Sequence, residues 1–349
     1  MKRIYRYIFA TLLILFCQGC IEEDKFSNSP AGNFDALWTI IDQRYCFFEH
    51  AEDEFGLDWE ETYRKYRPLA EQCKNSMELF DTLGNMLKEL RDGHVNLVSS
   101  YGTSYYWNWK LDHPINFSDS IQRNYLGNNF GYSNGIKFNS LMPDSIGYAY
   151  VETFADAMSD NNISIILSRL SINKGLIIDI RNNGGGMLTS AEKLASHFTN
   201  EKVHTGYIQH KNGTGHDDFS SPEAIYLERG DGAVWLRPVV VLTNRAVYSS
   251  ANYFVMLMRE LPHVVILGDK TGGGSGLPLN STLPNGWTVR FSACPILDKE
   301  GKHTEFGIEP DIAVNITSED WDRGRDTMID TAVELINSFY DKKNEEEVE

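Results

Sequence analysis

Apolar positions change their period along this chain. From residue 33 to about 98 they recur at helical spacing, with Phe34, Leu37, Trp38, Ile41, Tyr45 and Phe48 on one face. Asp58 is placed to cap a second helix through Tyr66, and Pro68 should stop it, because proline lacks the N–H and crowds the preceding turn. Asn75 with Glu78 resembles a capping box ahead of Leu79, Leu83, Met86, Leu87 and Leu90. These signals predict a helical module that ends at Leu90-Arg91-Asp92-Gly93-His94-Val95. Residues 99–140 are rich in Tyr, Trp, Gly and Asn; Tyr105, Tyr106, Trp107 and Trp109 fit a hairpin packed on the core better than a cleft. From Ser145 onward strands alternate with helices. Strands are expected at 146–151, 175–180, 239–242, 264–267 and 287–293, and helices at 157–170, from the triple glycine through His197, after Ser249, and at 320–340. This is the pattern of a layered α/β core. Residues 203–232 are polar and Gly-rich, as in a hairpin or a lid.

The N-terminus reads differently. Lys2, Arg3 and Arg6 precede an apolar stretch over 8–16, too short to span a bilayer, as in a secretory signal. Gly19-Cys20 resembles a lipoprotein cleavage site, although Cys17 departs from the usual aliphatic residue. Ile21-Glu22-Glu23-Asp24 beside Cys20 resembles the surface-export signal of Bacteroidetes lipoproteins. The organisation expected is a signal peptide at 1–19, a tether at 20–32, the helical module at 33–98, an aromatic-rich connection at 99–140, the core at 141–342 and an acidic tail at 343–349. Cys20 would be the lipidation site, and the envelope, at the outer membrane, the location.

Composition narrows the function. The net charge of the 349-residue chain is −17, with no Lys/Arg-rich stripe, so nucleic acid and anionic membrane surfaces are poor partners. Membrane contact is then expected through the lipid anchor only. Cys46, Cys73 and Cys294 can form at most one disulfide, so this is no disulfide scaffold. His204, His210 and His216 lie evenly in a polar loop without the tighter spacing of metal ligands, and are read as solvent-facing. No metal and no cofactor is expected.

Candidate chemistry begins at Thr243-Asn244-Arg245-Ala246-Val247-Tyr248-Ser249-Ser250-Ala251-Asn252. An apolar strand before it and an apolar helical pattern after it place Ser249 at a helix N-terminus. Free backbone N–H groups and the helix dipole favour negative charge there, as an acyl-transfer oxyanion requires. A simple Ser cap is the plainer reading of the same residues. The turn Asn182-Asn183-Gly184-Gly185-Gly186 can expose backbone donors, but lacks the Lys-Ser/Thr of a phosphate loop. A serine nucleophile needs a base, and of the histidines His94 alone ends a strong helix in a Gly-containing turn.

Four stretches in order resemble the tail-specific (C-terminal processing) serine peptidases. They are Ile178-Asp179-Ile180-Arg181-Asn182-Asn183-Gly184-Gly185-Gly186, Tyr248-Ser249-Ser250-Ala251, Gly268-Asp269-Lys270-Thr271-Gly272-Gly273-Gly274 and Gly307-Ile308-Glu309-Pro310-Asp311. Asp92-Gly93-His94-Val95 after a helical module is similar to the tricorn-core and retinoid-binding branch. The resemblance implies a crotonase-like α/β core with Ser249 as nucleophile, His94 as base, Glu305 as its supporting carboxylate, and Gly185 and Ser250 as oxyanion donors. The segment 99–140 is too short for a PDZ module. No Lys occupies 272–275, where the Ser–Lys branch has one; Lys270 lies earlier. Gly93 stands where the tricorn-like branch has Ser. The implied function is an envelope-anchored serine endopeptidase acting on peptide or unfolded protein. The alternatives are a weak or inactive peptidase-fold protein that binds peptide or a hydrophobic ligand and, less favoured, acyl-CoA chemistry. The sequence says nothing of oligomeric state.

Overall fold

The computed structural model describes residues 26–111, 113–142 and 146–346; the signal peptide, Cys20 and the end of the acidic tail lie outside them. Four helices come first, Pro30–Arg44, Phe48–Phe55, Trp59–Glu71 and Ser76–Lys88. Asp58 Oδ1 accepts the Glu61 N–H at 2.7 Å, and Asn75 Oδ1 accepts that of Glu78 at 2.9 Å, so both predicted caps are present. Three expectations need correction. The stripe from Phe34 to Phe48 is broken, because Tyr45 turns extended and a second helix starts at Phe48. Pro68 does not stop its helix, which runs on to Glu71. The missing N–H costs one backbone bond, and the fully buried Ala70 holds the last turn in the core. The helices end at Lys88, and residues 96–98 are strand.

The strands in chain order are β1 (Asn96–Ser99), β2 (Gly102–Ser104), β3 (Gly131–Ser133), β4 (Ile136–Met142), β5 (Ile146–Val151), β6 (Gly175–Asp179), β7 (Val203–Ile208), β8 (Glu223–Leu227), β9 (Val239–Thr243), β10 (Val264–Gly268), β11 (Gly276–Thr282), β12 (Thr288–Asp298) and β13 (Ile312–Ala313). One sheet has the order β13-β10-β9-β6-β5-β4-β3. It is parallel from β13 to β5 and antiparallel beyond. The other runs β2-β1-β12-β7-β8, with β11 also on β12. Residues 203–232 therefore form a hairpin of the second sheet. The strand β11 was not foreseen, nor was the break of the closing helix at Gly324 into Ser318–Asp322 and Thr327–Glu346. The helix expected at 157–170 is shorter, Asp160–Arg169, capped by Ser159.

The parallel sheet is buried on both faces. Val239 and Val241 face a core shared with the helices Asp160–Arg169, Leu188–Ala195 and Ser250–Met258. Val240 and Leu242 face the opposite core, where the helix Thr327–Glu346 packs. Burial on both sides explains the unbroken apolar run of β9. The helix Ser250–Met258 is buried along its whole length, so its N-terminus is fixed in all directions. A third core joins the N-terminal helices to Leu97 of β1 and to Val289, Phe291 and Ala293 of β12. Alternation along β12 turns its other residues, Arg290 and Ser292, away from that core. Cys46, Cys73 and Cys294 are free thiols. Among the described residues no helix is long and apolar enough to cross a membrane.

Candidate active site

Ser249 stands between β9 and the helix Ser250–Met258, with φ 57° and ψ −125°. A positive φ on a non-glycine residue costs on the order of 1–3 kcal/mol and persists only where the surroundings impose it. Here they do. The Ser249 N–H donates to the Gly273 carbonyl at 2.8 Å, and the Tyr248 N–H to the Asn183 carbonyl at 3.1 Å. Ser249 makes no side-chain cap. Its hydroxyl lies instead 3.0 Å from His94 Nε2, across 155 residues of sequence.

His94 comes from the other layer. It follows the helix Ser76–Lys88 and precedes β1. Asp92 Oδ1 accepts the His94 backbone N–H at 2.6 Å, which shapes the turn. Asp92 is buried and also accepts from Ser292 Oγ at 2.7 Å and, more weakly, from Tyr248 Oη at 3.4 Å. The His94 ring is 4% exposed. Burial pushes its pKa from 6.5 down to about 4; Asp92 and a backbone contact with Gly276 pull it up, and the Arg290 charge pushes it down. The imidazole is therefore neutral at physiological pH, as a general base must be. Its Nδ1 has no hydrogen bond of ordinary geometry.

Glu305 is buried close by but does not hold His94. Its Oε2 accepts the backbone N–H groups of Ser275 at 2.7 Å and Gly276 at 3.3 Å, and faces the Ser275 hydroxyl at 3.4 Å. The role of direct supporting carboxylate is corrected to that of a brace for the 275–276 turn, which in turn touches His94. Burial, and then the Asp92 charge, hold the Glu305 carboxyl well above the usual carboxylate range.

Gly93 explains why no Ser precedes His94. A Cβ there would lie 2.8 Å from Tyr248 Oη and 3.2 Å from Trp109 Nε1. Trp109 stacks on the Tyr248 ring at 4.8 Å between centroids, with Trp107 at 5.8 Å. The predicted hairpin role of these tryptophans is thus corrected: they flank the Tyr248-Ser249 turn, in a loop and a single 3-10 turn at Asn108–Lys110.

The oxyanion donors divide. The Ser250 N–H opens its helix and has no acceptor within it. Gly185 has φ 99°, and a Cβ there would lie 3.0 Å from Ser250 N, so glycine is required. Its own N–H, however, donates to Asn183 Oδ1 at 2.9 Å. Its neighbour Gly186 is exposed and lines the cleft over Ser249. That cleft measures roughly 490 Å³ out to its open mouth. Leu188, Tyr253, Met256, Leu277 and Ile296 form its apolar wall.

Other candidates are placed elsewhere. Lys270 pairs with Glu309 at 3.2 Å, away from Ser249. His204 is half-buried on the Gly206 carbonyl, correcting its solvent-facing assignment; His210 contacts Cys294, and His216 pairs with Asp42. They do not converge. Sequence reasoning missed Ser275, Ser292 and Arg290; the period-2 alternation of β12 is the one signal that could have found the latter two.

Comparison with known proteins agrees with this architecture. The model of peptidase family S41 matches residues 145–314, and that of the Tricorn protease C1 domain residues 26–88. The structure of "a putative peptidase from Parabacteroides merdae" is 50% identical, with a TM-score of 0.84 over 89% of this chain and 97% of that one. A "Putative Tricorn-like protease C-terminal subunit" of Sulfurisphaera tokodaii is 30% identical over 178 residues, 49% of this chain and 18% of its own. "Carboxy-terminal processing protease CtpB" of Bacillus subtilis is 26% identical over 175 residues, 49% of this chain and 34% of its own. The chain thus spans about a fifth to a third of these two curated relatives. Fold and site define a serine peptidase class with a crotonase-like α/β core and an N-terminal helical module. The chain belongs to peptidase family S41, on its tricorn-like side.

Proposed function

We propose that this protein is an envelope-anchored serine endopeptidase that cleaves peptides or unfolded protein through an acyl-enzyme on Ser249. The observation that carries the reading is the 3.0 Å contact between His94 Nε2 and Ser249 Oγ. With Nδ1 carrying the proton, Nε2 takes the Ser249 proton as the hydroxyl attacks the scissile carbonyl, and then delivers it to the leaving amine. The tetrahedral oxyanion sits against the Ser250 and Gly186 N–H groups, an arrangement in which one donor is typically worth about 10²–10³ in rate. Water, deprotonated by the same imidazole, hydrolyses the acyl-enzyme. The transient imidazolium is stabilised by the buried Asp92 charge rather than by a carboxylate on Nδ1. Anchoring would be through a lipidated Cys20, in keeping with the basic and apolar start of the chain.

The test is labelling of the purified protein with a fluorophosphonate probe, followed by peptide mapping. Modification at Ser249, lost in Ser249→Ala and much reduced in His94→Ala, is the expected result. A folded protein that is never labelled and cleaves no peptide overturns it, and a hydrophobic ligand copurifying with such a protein would favour the carrier alternative. Palmitate labelling of cells that is lost in Cys20→Ser tests the anchor.

A further inference from the structure

Among the described residues, the arginines that are at least half-buried are all but one committed to acceptors. Arg181 holds Asp179 and Asp326, Arg67 holds Asp35, and Arg245 donates to the carbonyls of Trp109, Thr271 and Phe306. Arg290 differs. It is half-buried and lines the cleft that holds Ser249 and His94. Among the described residues its guanidinium has neither a hydrogen-bond nor an ion-pair partner. Its cross-strand neighbours are both uncharged amides, Asn96 on β1 and Asn280 on β11. No acid faces it from either side, in a chain whose net charge is −17. Its charge reaches the reacting groups, since it acts on the His94 imidazole.

Partial burial of a cation without an anion is costly unless an anion arrives from elsewhere. The guanidinium fork matches a carboxylate in shape and charge, and such charge-assisted pairs are the strong ones. We propose that Arg290 determines specificity by binding a carboxylate of the peptide substrate, with the apolar wall of Leu188, Met256, Leu277 and Ile296 taking the neighbouring aliphatic part. This rests on the reading of the cleft as a peptide site. The carboxylate can come from a Glu or Asp side chain beside the scissile bond or from the C-terminus of the peptide. Both present the same planar anion.

The experiment uses matched pairs of internally quenched peptides that the wild-type protein cleaves. One set carries Glu or Gln at each position flanking the cut; the other has a free or an amidated C-terminus. The readout is the ratio of kcat/KM, acid over amide, within each variant, so that general losses cancel. In the wild type one of the two sets should give a ratio of about ten or more, the scale of a charged hydrogen bond, and that set identifies the source. The ratio should fall close to one in Arg290→Gln, recover in part in Arg290→Lys, and shift in favour of Lys-containing peptides in Arg290→Glu. A second readout is independent of turnover: the same peptides are bound to Ser249→Ala, with and without Arg290→Gln, and their Kd ratios compared by fluorescence anisotropy. Ratios near one in the wild type for both sets, or a preference that survives Arg290→Gln, overturn the proposal. If nothing is cleaved but the Kd preference is present and depends on Arg290, the peptidase reading falls and the carboxylate site stands.

Discussion

Ser249 and His94, the proposed nucleophile and base, are held in different ways. Ser249 belongs to the parallel sheet: β9 ends beneath it, a wholly buried helix begins at it, and the backbone on either side is bonded to the Asn183 and Gly273 carbonyls. His94 belongs to the antiparallel layer and rides on a turn set by one buried carboxylate, Asp92. The first half is rigid through backbone pairing. The second depends on the packing of two layers and on the electrostatics of buried acids. Ser249 should therefore respond to loss of its own atoms, and His94 to changes around it.

Ser249→Ala and His94→Ala test the comparison at its extreme. Each should lower kcat by about 10⁶-fold, as expected when a nucleophile–base pair acts as a unit. Combining them should cost little more than either alone; additive losses would show that His94 is not the base of Ser249. Gly93→Ser should come next. Its Cβ would press on Tyr248 Oη, so overpacking should cost roughly 1–3 kcal/mol in stability and lower kcat. Adding Tyr248→Phe, which removes the obstructing oxygen, should restore part of both. An intact Gly93→Ser enzyme would mean that the two layers are more loosely docked than described.

The pH profile sharpens the difference further. The His94 pKa is depressed to about 4, and the neutral form is the proposed base. Activity should thus rise with pH through about 4 and stay flat across neutrality, instead of rising near 6.5. The Asp92 charge favours the imidazolium, so Asp92→Asn should move this acid limb lower still and reduce kcat by about tenfold. A limb that moves upward would contradict the assigned sign. Glu305→Gln should have the smallest effect, within about threefold. The carboxyl is driven toward its neutral form by burial, and a Gln carbonyl can accept the same Ser275 and Gly276 N–H groups. A large loss would restore Glu305 to a charged role.

The two halves also differ in how far they could be read from residues alone. The strand, tight turn and helix around Ser249 are contiguous, so apolar periodicity and turn chemistry place Ser249 at a helix start, and the family resemblance adds the role of nucleophile. The same holds for the caps at Asp58 and Asn75. The helix runs through Pro68, against the local signal, because tertiary burial of Ala70 outweighs one missing backbone bond. Trp107 and Trp109 were misplaced for a related reason: their partner, Tyr248, is far away in sequence. The resemblance implies Gly185 as an oxyanion donor, yet its amide is taken by a side chain two residues away, a geometry that no motif encodes.

Periodicity, the glycine turn and the order of motifs determined the layered α/β class, the family resemblance and the position of Ser249 at a helix start, because these depend on short-range repetition and local backbone chemistry. Tertiary structure alone decided that His94 meets Ser249, that Glu305 braces a turn rather than the imidazole, that Tyr248 fills the space beside Gly93, and that Arg290 faces the cleft without an anion. Each of these is set by the docking of two sheets whose contacting residues are separated by many tens of positions. Burial and charge act through space, and the chain order carries no record of which distant side chains will share it.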